Sequence, residues 1–319
     1  MKRSIFLAAV ATLAAGSALA QSSVTVYGRL NVTAERFTAQ RQTSYVLNNN
    51  ASRIGFKGTE DLGGGMKASF LIESGFSPDT GAASATFWGR ESWVGLEGGF
   101  GKVRLGNMGP TMAYFTTADY ISMHNHDTGT SEDKLYLYPG RATNMIAYTS
   151  PNMGGLVIDA QLGLSENTQQ GRTYVLTANY DAGPLHLGAS YLQEGAGVPG
   201  AKEKEYGFRA LYELGDLTFG AYYIRNDNVF GVAGAKRNAV RGSVMYAMGP
   251  GELHLNIGGA GKIKNFGVAE DDAKQFTVGY NYNLSKRTKA YTYYTRVTDD
   301  ARVYTGKYST FALGVRHNF

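Results

Sequence analysis

The sequence contains no cysteine, which excludes disulfide bonds and thiolate chemistry, although an exported protein could have used either. Proline is scarce as well, with 7 residues, and no proline-rich linker or low-complexity tract divides the chain. The formal net charge is only +5 and the basic residues are scattered, so nucleic-acid binding is not indicated. Glycine (42) and tyrosine (22) are abundant, which is typical of strands, tight turns and aromatic membrane belts.

Long apolar runs are also missing. After residue 20 the sequence has no run of about 18 apolar residues, so it predicts no helical membrane span. The first twenty residues are different, because Lys2 and Arg3 precede an apolar stretch over residues 5–15 and Ala18-Leu19-Ala20 follows as a small-x-small pattern. This stretch is too short for a membrane helix and predicts a signal peptide over residues 1–20, cleaved after Ala20.

Alternate positions after the signal peptide segregate by polarity. Val24, Val26 and Leu30 share one parity, whereas Thr25 and Arg29 share the other. Since successive strand side chains point to opposite faces, one face is apolar and the other is charged. A soluble all-β protein would alternate around a packed core, and the polar faces here are too numerous and too charged for that. The pattern favours a membrane barrel with an apolar outside and a polar inside.

The alternation recurs along the chain, and very short connectors alternate with longer polar ones, as in outer-membrane barrels. The predicted fold is all-β: one antiparallel transmembrane β-barrel over residues 21–319, with sixteen strands. A barrel of that size is too wide for side chains to fill and leaves an aqueous channel. The predicted strands are 22–36, 50–60, 65–76, 86–97, 101–107, 141–150, 155–165, 172–182, 184–194, 203–214, 216–226, 237–248, 251–262, 273–284, 288–298 and 308–319.

The alternation lapses between the fifth and sixth predicted strands, over residues 107–140. This stretch holds two prolines, two histidines, several acidic residues and a Tyr/Phe-rich patch over residues 113–120. A long loop without periodicity is uncommon in a compact domain and is usually functional or disordered. We interpret residues 107–140 as a constriction loop folded into the lumen, and the alternative is an ordinary surface loop.

Five stretches carry a more specific signal: SRIGFKGTEDLGGGM (52–66), FGKVRLG (100–106), RATNMIAYTSPNMGG (141–155), YNYNLSKRTKAY (280–291) and the final GVRHNF. In content and order they resemble the general porins of β-proteobacteria, the group with the Neisseria, Bordetella, Burkholderia and Comamonas porins. The resemblance implies a homotrimeric Gram-negative outer-membrane porin whose third external loop folds inward. It also implies contact with outer-membrane lipids and lipopolysaccharide, and recognition of the C-terminal Phe319 by the assembly machinery.

The resemblance also points to selectivity residues. Anion-preferring members have arginines at the constriction, and two of these match Arg53 and Arg141. A third arginine of the family, on the fourth strand, aligns better with Glu91, which has lumen parity, while parity puts Arg90 outside. Strong anion selectivity is therefore not expected.

Strand parity adds further charges to the predicted pore lining. Lys57 and Arg104 have lumen parity, and Asp119, Asp127, Glu132 and Asp133 of the loop are predicted to oppose the basic residues. The strand residues with lumen parity are the basic Arg29, Arg53, Lys57, Arg104, Arg141, Arg209, Arg241, Arg296 and Arg316 against the acidic Glu35, Glu73, Glu91, Asp159, Glu205 and Glu213. The basic residues outnumber the acidic ones. This predicts a weak to moderate anion preference, because charges in a pore concentrate ions of the opposite sign.

The predicted function is passive diffusion of ions and small hydrophilic solutes. A substrate-specific channel for sugars or anionic solutes is the alternative, which the patch at 113–120 permits weakly. An outer-membrane hydrolase would need a nucleophile, a base and an orienting group, and no motif ties a histidine to a serine. His124 and His126 could bind a divalent metal, but no nearby Cys or Glu completes a set, so no metal or cofactor is predicted.

Overall fold

The computed structural model describes residues 23–121, 129–137, 143–166, 171–195, 202–266, 272–299 and 306–319. Most of them lie in strands, which we number by their place in the barrel. These are β1 Ser23–Ala39, β2 in two segments, Gln42–Asn49 and Arg53–Gly63, β3 Met66–Ser77, β4 Glu91–Gly98, β5 Gly101–Asn107, β6 Met145–Thr149, β7 Leu156–Gly163, β8 Thr173–Ala182, β9 Leu185–Gly195, β10 Lys202–Leu214, β11 Leu217–Asp227, β12 Lys236–Met248, β13 Gly251–Ala260, β14 Ala273–Asn283, β15 Thr288–Asp299 and β16 Tyr308–Asn318.

The sixteen strands form one closed antiparallel barrel in which each strand pairs with its neighbours in the sequence. Both segments of β2 pair with β1, so they count as one interrupted strand. The barrel closes between β1 and β16, where Arg29 lies opposite Asn318 and Ala39 opposite Tyr308. The two-residue strand Ala82–Ala83 only extends the end of β3. The predicted sixteen-stranded barrel is confirmed.

The alternation in the sequence becomes the two faces of the barrel wall. Along β12 exposed and buried residues alternate strictly over the first eight positions. Large apolar side chains such as Val26, Phe208 and Leu313 project outward and are exposed on the isolated chain, whereas Glu205 and Arg241 point inward. In a bilayer the outward band would lie against lipid, which hydrogen-bonds to nothing, and the closed sheet satisfies the backbone by itself.

The two ends of the barrel differ in their connections. At one end two-residue turns join neighbouring strands, as at Gly215-Asp216 between β10 and β11 and Gly249-Pro250 between β12 and β13. At the other end most connections are longer, for example residues 228–235 between β11 and β12. Outer-membrane barrels have short periplasmic turns and longer external loops, which fixes the orientation of this chain.

The first hairpin is longer than the sequence predicted. Residues 37–49 continue β1 and β2 as a ladder that turns at Gln40 and Arg41. The predicted strand bounds at residues 36 and 50 are wrong because the distal part of the hairpin is exposed on both faces and therefore lacks a polarity pattern. The ladder breaks after Asn49, where Ala51 has a φ of 55° and the Ser52 hydroxyl accepts a hydrogen bond from the Asn31 amide at 2.9 Å.

Arg296 is a second correction. The sequence placed it in the lumen, but it lies opposite Phe276 in the ladder and is exposed with it on the outer face. The inward positions of β15 are Tyr291 and Tyr293, which are buried and hydrogen-bonded to Asn31 and Glu35. Both parities of β15 carry tyrosine, so polarity alone could not assign its faces.

The seam of the barrel depends on a close approach at Gly28. Gly28 and Phe319 exchange two backbone hydrogen bonds, each of 3.1 Å. The Phe319 ring covers the Cα of Gly28, so that any Cβ at this position would collide with the ring and with the Arg53 carbonyl. Glycine is therefore the residue that allows the last strand to dock with its aromatic end in place.

The segment between β5 and β6 packs against the inward face of the wall over residues 108–121 and 129–137. It contains the helical turn Met112–Tyr114 followed by the π-helical turn Phe115–Asp119. Gly207 faces inward beneath it, and a Cβ there would approach Thr117 Cγ2 to 2.5 Å. No helix in the described residues is long and apolar enough to cross a membrane.

A charge introduced on the outward face of the barrel should reduce stability more in the middle of a strand than near a turn. Leu255 lies in the middle of β13, whereas Leu214 ends β10 at a short turn, and both point outward. Leu255→Arg should lower the free energy of unfolding by about 2–4 kcal/mol and Leu214→Arg by about 0–1 kcal/mol. Reversible denaturant unfolding in lipid vesicles measures both. Equal losses for the two variants would contradict the assignment of the lipid-facing band.

Candidate functional site

The segment between β5 and β6 that packs inside the barrel (residues 108–121 and 129–137) is held by a buried ion pair. Asp133 accepts hydrogen bonds from Arg241 on β12, with Nη2 at 2.7 Å from Oδ1 and Nε at 3.0 Å from Oδ2. Both side chains are 0% exposed. The Tyr222 hydroxyl donates to the same carboxylate at 2.5 Å, and Arg241 also donates to the Gln275 amide oxygen at 2.9 Å. Charge-assisted, two-point contacts of this kind fix position as well as adding energy.

Further hydrogen bonds join the segment to strands around the wall. The Tyr136 hydroxyl donates to Glu205 at 2.8 Å, and Arg237 donates to the Leu135 carbonyl at 2.8 Å. On the other side, the Thr130 hydroxyl lies 2.8 Å from Glu35 and the Tyr308 hydroxyl donates to the Thr130 carbonyl at 2.7 Å. The described segment is therefore fastened to β1, β10, β12 and β16 at once.

The Tyr/Phe-rich patch forms the helical part of the segment. The Thr117 hydroxyl donates to the Ala113 carbonyl, a local bond that competes with regular helix pairing and accompanies the π-turn. The Arg209 guanidinium lies 3.2 Å from the Tyr120 ring centroid, and the Tyr120 hydroxyl donates to Asp181 at 2.8 Å. Burial and the neighbouring Asp181 carboxylate raise the pKa of Tyr120, which keeps the phenol a neutral donor.

A cavity of about 940 Å³ separates this segment from the opposite wall. One side consists of residues 109–111, Tyr114, Phe115, Asp119 and Tyr136, and the other of residues on β1 to β4 and β16. Its charged side chains are the basic Arg29, Arg53, Lys57, Arg90 and Arg316 and the acidic Glu73, Glu91 and Asp119. The cavity thus holds five cations and three carboxylates, and all but Asp119 lie on the wall or immediately before β4.

Glu73 on β3 is the centre of the charge pairing on that wall. Its carboxylate accepts from Arg90 Nε at 2.5 Å and from the Tyr27 hydroxyl at 2.9 Å, and Arg53 Nε lies 3.9 Å away. Glu91 is directly opposite Glu73 in the ladder and accepts from the Trp93 indole at 2.9 Å. One carboxylate therefore offsets parts of two guanidinium charges.

The predicted site residues separate into two groups. Arg53, Lys57, Glu91 and Asp119 line the same cavity, with Lys57 Nζ 5.2 Å from the Tyr27 ring centroid. Arg104 does not line this cavity and lies 5.5 Å from the Trp93 ring centroid. Arg141 lies outside the described residues, as do Asp127 and the loop histidines His124 and His126.

Two of the predicted opposing charges are corrected. Asp133 does not face the pore, because Arg241 neutralises it in a fully buried pair. Glu132 is partly exposed, but Lys134 Nζ contacts its carboxylate. The sequence showed that these residues are acidic and could not show that a loop folded inward would bind the wall through them.

The sequence also misplaced Arg90. Its side chain points into the cavity and bonds to Glu73, because the regular strand begins only at Glu91 and alternation cannot be extended back through the irregular residues 84–90. Tyr27 was missed as well, although it shares the parity of Arg29. Within the described residues no group of three His, Asp or Glu side chains could hold a metal ion.

Comparison with known proteins supplies the family. The profile described as Gram-negative porin matches residues 7–302, which is most of the chain. The chain belongs to the Gram-negative porin family. This porin is 32% identical to outer membrane porin protein 32 of Delftia acidovorans, over 91% of this chain and 88% of that protein.

Solved structures agree with the family. An anion-selective porin from Comamonas acidovorans superposes with a TM-score of 0.77 at 27% identity, covering 94% of this chain and 100% of that one. OmpT of Vibrio cholerae, solved in a trimer form, superposes with a TM-score of 0.72 over 93% of this chain and 99% of that one, at 15% identity, and shares the fold. The porin is accordingly a channel of the Gram-negative outer membrane and not an enzyme.

The Asp133–Arg241 pair gives a test of how the segment is held. Asp133→Ala leaves a buried guanidinium without its carboxylate and should destabilise the protein by about 3–5 kcal/mol. Glu132→Ala is the matched control and should cost about 0–1 kcal/mol, because the pair with Lys134 is partly exposed. Denaturant unfolding measures both, and current noise in single channels reports detachment of the segment. Similar values for both variants would mean that Asp133 does not anchor it.

Proposed function

We propose that this porin conducts ions and small hydrophilic solutes through a constriction formed between residues 107–140 and the wall of β1 to β4, with a weak to moderate anion preference. The observation that supports the proposal is the cavity described above, whose lining has five basic and three acidic side chains. The excess is small, and screening over about 8 Å at physiological salt confines its effect to the narrow part of the pore.

Arg53 is the residue that we propose contributes most to anion preference. It lies opposite Arg29 in the β1–β2 ladder, and both line the cavity with Lys57. Arginine stays charged at any working pH and presents a broad donor fork to passing anions. Arg141 is proposed as its companion on the resemblance to anion-preferring porins, and Arg104 as a weaker contributor at the side of the lumen.

Three carboxylates are proposed to keep the preference modest. Glu73 partly neutralises Arg53 and Arg90, Glu91 lies beside it, and Asp119 projects from the segment on the other side. Opposed charges of this kind give a field across the opening, and with Glu132 paired and Asp133 buried, only Asp119 among the described acidic residues of the segment lines this cavity.

The assembly and the partners are further proposals. We expect a homotrimer in which each chain holds its own channel, in line with the trimer form of the related OmpT fold. Residues 1–20 are proposed to be a cleaved signal peptide, and Phe319 to be read by the outer-membrane assembly machinery. Lipopolysaccharide and outer-membrane lipids are the proposed surroundings of the apolar band.

Selectivity should move in opposite directions in two single variants. Arg53→Ser removes a cation and should lower the anion-to-cation permeability ratio by about twofold. Glu73→Gln removes the negative charge beside Arg53 and Arg90 and should raise the ratio by a similar factor. The reversal potential in a salt gradient across a planar bilayer measures both. An Arg53→Ser, Arg141→Ser double variant should shift further toward cations. If all three variants keep the wild-type reversal potential, Arg53, Glu73 and Arg141 do not determine the ion selectivity.

Solute competition separates a general from a substrate-specific channel. A general diffusion porin should show a conductance that rises linearly with salt and no saturable block by added sugars or phosphate. Trimeric insertion should appear as closure in three equal steps. Saturable block by a sugar would instead favour a specific channel and would direct attention to Tyr114 and Phe115 at the cavity wall.

A further inference from the structure

The second strand of the barrel has one residue more than the first at the break between its two segments. Arg29 lies opposite Arg53 in the β1–β2 ladder, and Val32 lies opposite Asn49. Between these pairs β1 has two residues and β2 has three, 50–52. The break is therefore a one-residue β-bulge, a feature that re-aims side chains at the rims of barrels and beside functional sites.

The bulge holds the Asn50 side chain on the inward face in one orientation. Asn50 is 2% exposed, and its amide nitrogen donates to the Thr33 hydroxyl at 3.0 Å and lies 2.9 Å from the Tyr291 hydroxyl. The Asn50 backbone amide donates to the Asn31 carbonyl at 2.8 Å. Ala51 next to it has the left-handed φ of 55°, a conformation that costs free energy and persists only where the surroundings impose it.

The segment between β5 and β6 meets the wall at this amide. Its second part, residues 129–137, is here called the return limb. Gly129 at its start has a φ of 71°, and a Cβ there would overlap the Asn50 amide oxygen. In the described part of the chain that oxygen accepts no hydrogen bond, so the contact is steric. Both the backbone conformation and the close approach therefore require glycine.

We propose that the bulge sets the width of the constriction, with Asn50 as the positioning residue against which the return limb stops at Gly129. The inference rests on the proposed constriction between this segment and the wall. Arg53 follows Asn50 on the same strand, and Tyr136 of the return limb lines the cavity that contains Arg53. A shift of the limb at Gly129 therefore changes the opening. A bulge that only reset the alternation of β2 would leave the opening independent of Gly129.

The first test enlarges the residue at the contact and then makes room for it. Gly129→Ala should lower single-channel conductance by about twofold, because the collision moves the limb away from the wall and into the lumen. Adding Asn50→Ala should restore most of the conductance, since the new Cβ would lie 3.6 Å from the remaining Asn50 Cβ, an ordinary contact. Planar-bilayer recordings of each variant measure this.

The matched control is Gly234→Ala, in the external connection between β11 and β12. Gly234 has a φ of 79°, so the substitution imposes the same backbone strain, but a Cβ there has no neighbour closer than Asn265 Nδ2 at 3.9 Å. This variant should conduct as wild type does. Heat-dependent electrophoretic mobility establishes that every variant is folded, so that conductance is compared only between folded channels.

The second test detects the contact without using the pore. The chain has no cysteine, and Cβ atoms at positions 50 and 129 would be 3.6 Å apart, which is within the range that a disulfide spans. Asn50→Cys with Gly129→Cys should therefore form a disulfide under mild oxidation, seen as a mobility difference between the reduced and oxidised denatured chains. Asn50→Cys with Gly234→Cys should not.

Four results would overturn the inference: wild-type conductance in Gly129→Ala, no recovery when Asn50→Ala is added, an equal loss in Gly234→Ala, or no disulfide between positions 50 and 129. Its failure is separable from that of the proposed function, which the reversal potential of Arg53→Ser tests. A shifted potential in Arg53→Ser with wild-type conductance in Gly129→Ala would remove the positioning role of Asn50 alone.

Discussion

Hydrocarbon offers no hydrogen-bond partner to a peptide group, and that constraint determines the rest of this molecule. A sheet meets it only by closing on itself, as β1 and β16 do through a continuous ladder. Closure with sixteen strands creates an interior too wide for side chains to fill. The inward face must then be polar and the outward face apolar, so the alternation that is visible in the sequence follows from the solvent on each side of the wall.

A wide, water-filled interior also explains why the segment between β5 and β6 is held by polar contacts. The segment does bury Ile121 and Leu135 in one apolar cluster with Ile224 and other wall residues. Beside that cluster the inward positions carry Arg241, Glu205 and Gln275, which need polar partners. The segment supplies Asp133, Tyr136 and Thr130 as partners for these groups. Buried ion pairs add little net stability against apolar packing, but they specify one arrangement when many partners are charged. The Asp133–Arg241 pair therefore fixes where the segment lies, and breaking it is costly because a buried guanidinium would lose its partner.

The sequence predicted the barrel well and the pore lining only partly. Alternation depends on a regular strand, so it located most strands to within a few residues and gave the correct face for Arg53, Lys57 and Glu91. It failed where regularity ends, as at Arg90, and where both faces have the same chemistry, as at Arg296 on β15. Asp133 shows a deeper limit, because its pairing with Arg241 joins residues 108 positions apart and nothing local encodes it. Charge counts from sequence therefore overestimate the number of free charges in the pore.

The seam at Gly28 has a consequence for how the molecule is made. The strands that meet there are separated by almost the whole sequence, with Arg29 and Asn318 in contact across 289 positions. Fifteen of the sixteen strand pairings join strands that are neighbours in the sequence. The sixteenth, between β1 and β16, cannot begin until both terminal strands are present. Until then the sheet has two open edges whose peptide groups can pair with any other strand, which is a route to aggregation. The slowest step of folding, and the step most in need of a protected environment, should be the joining of the first strand to the last.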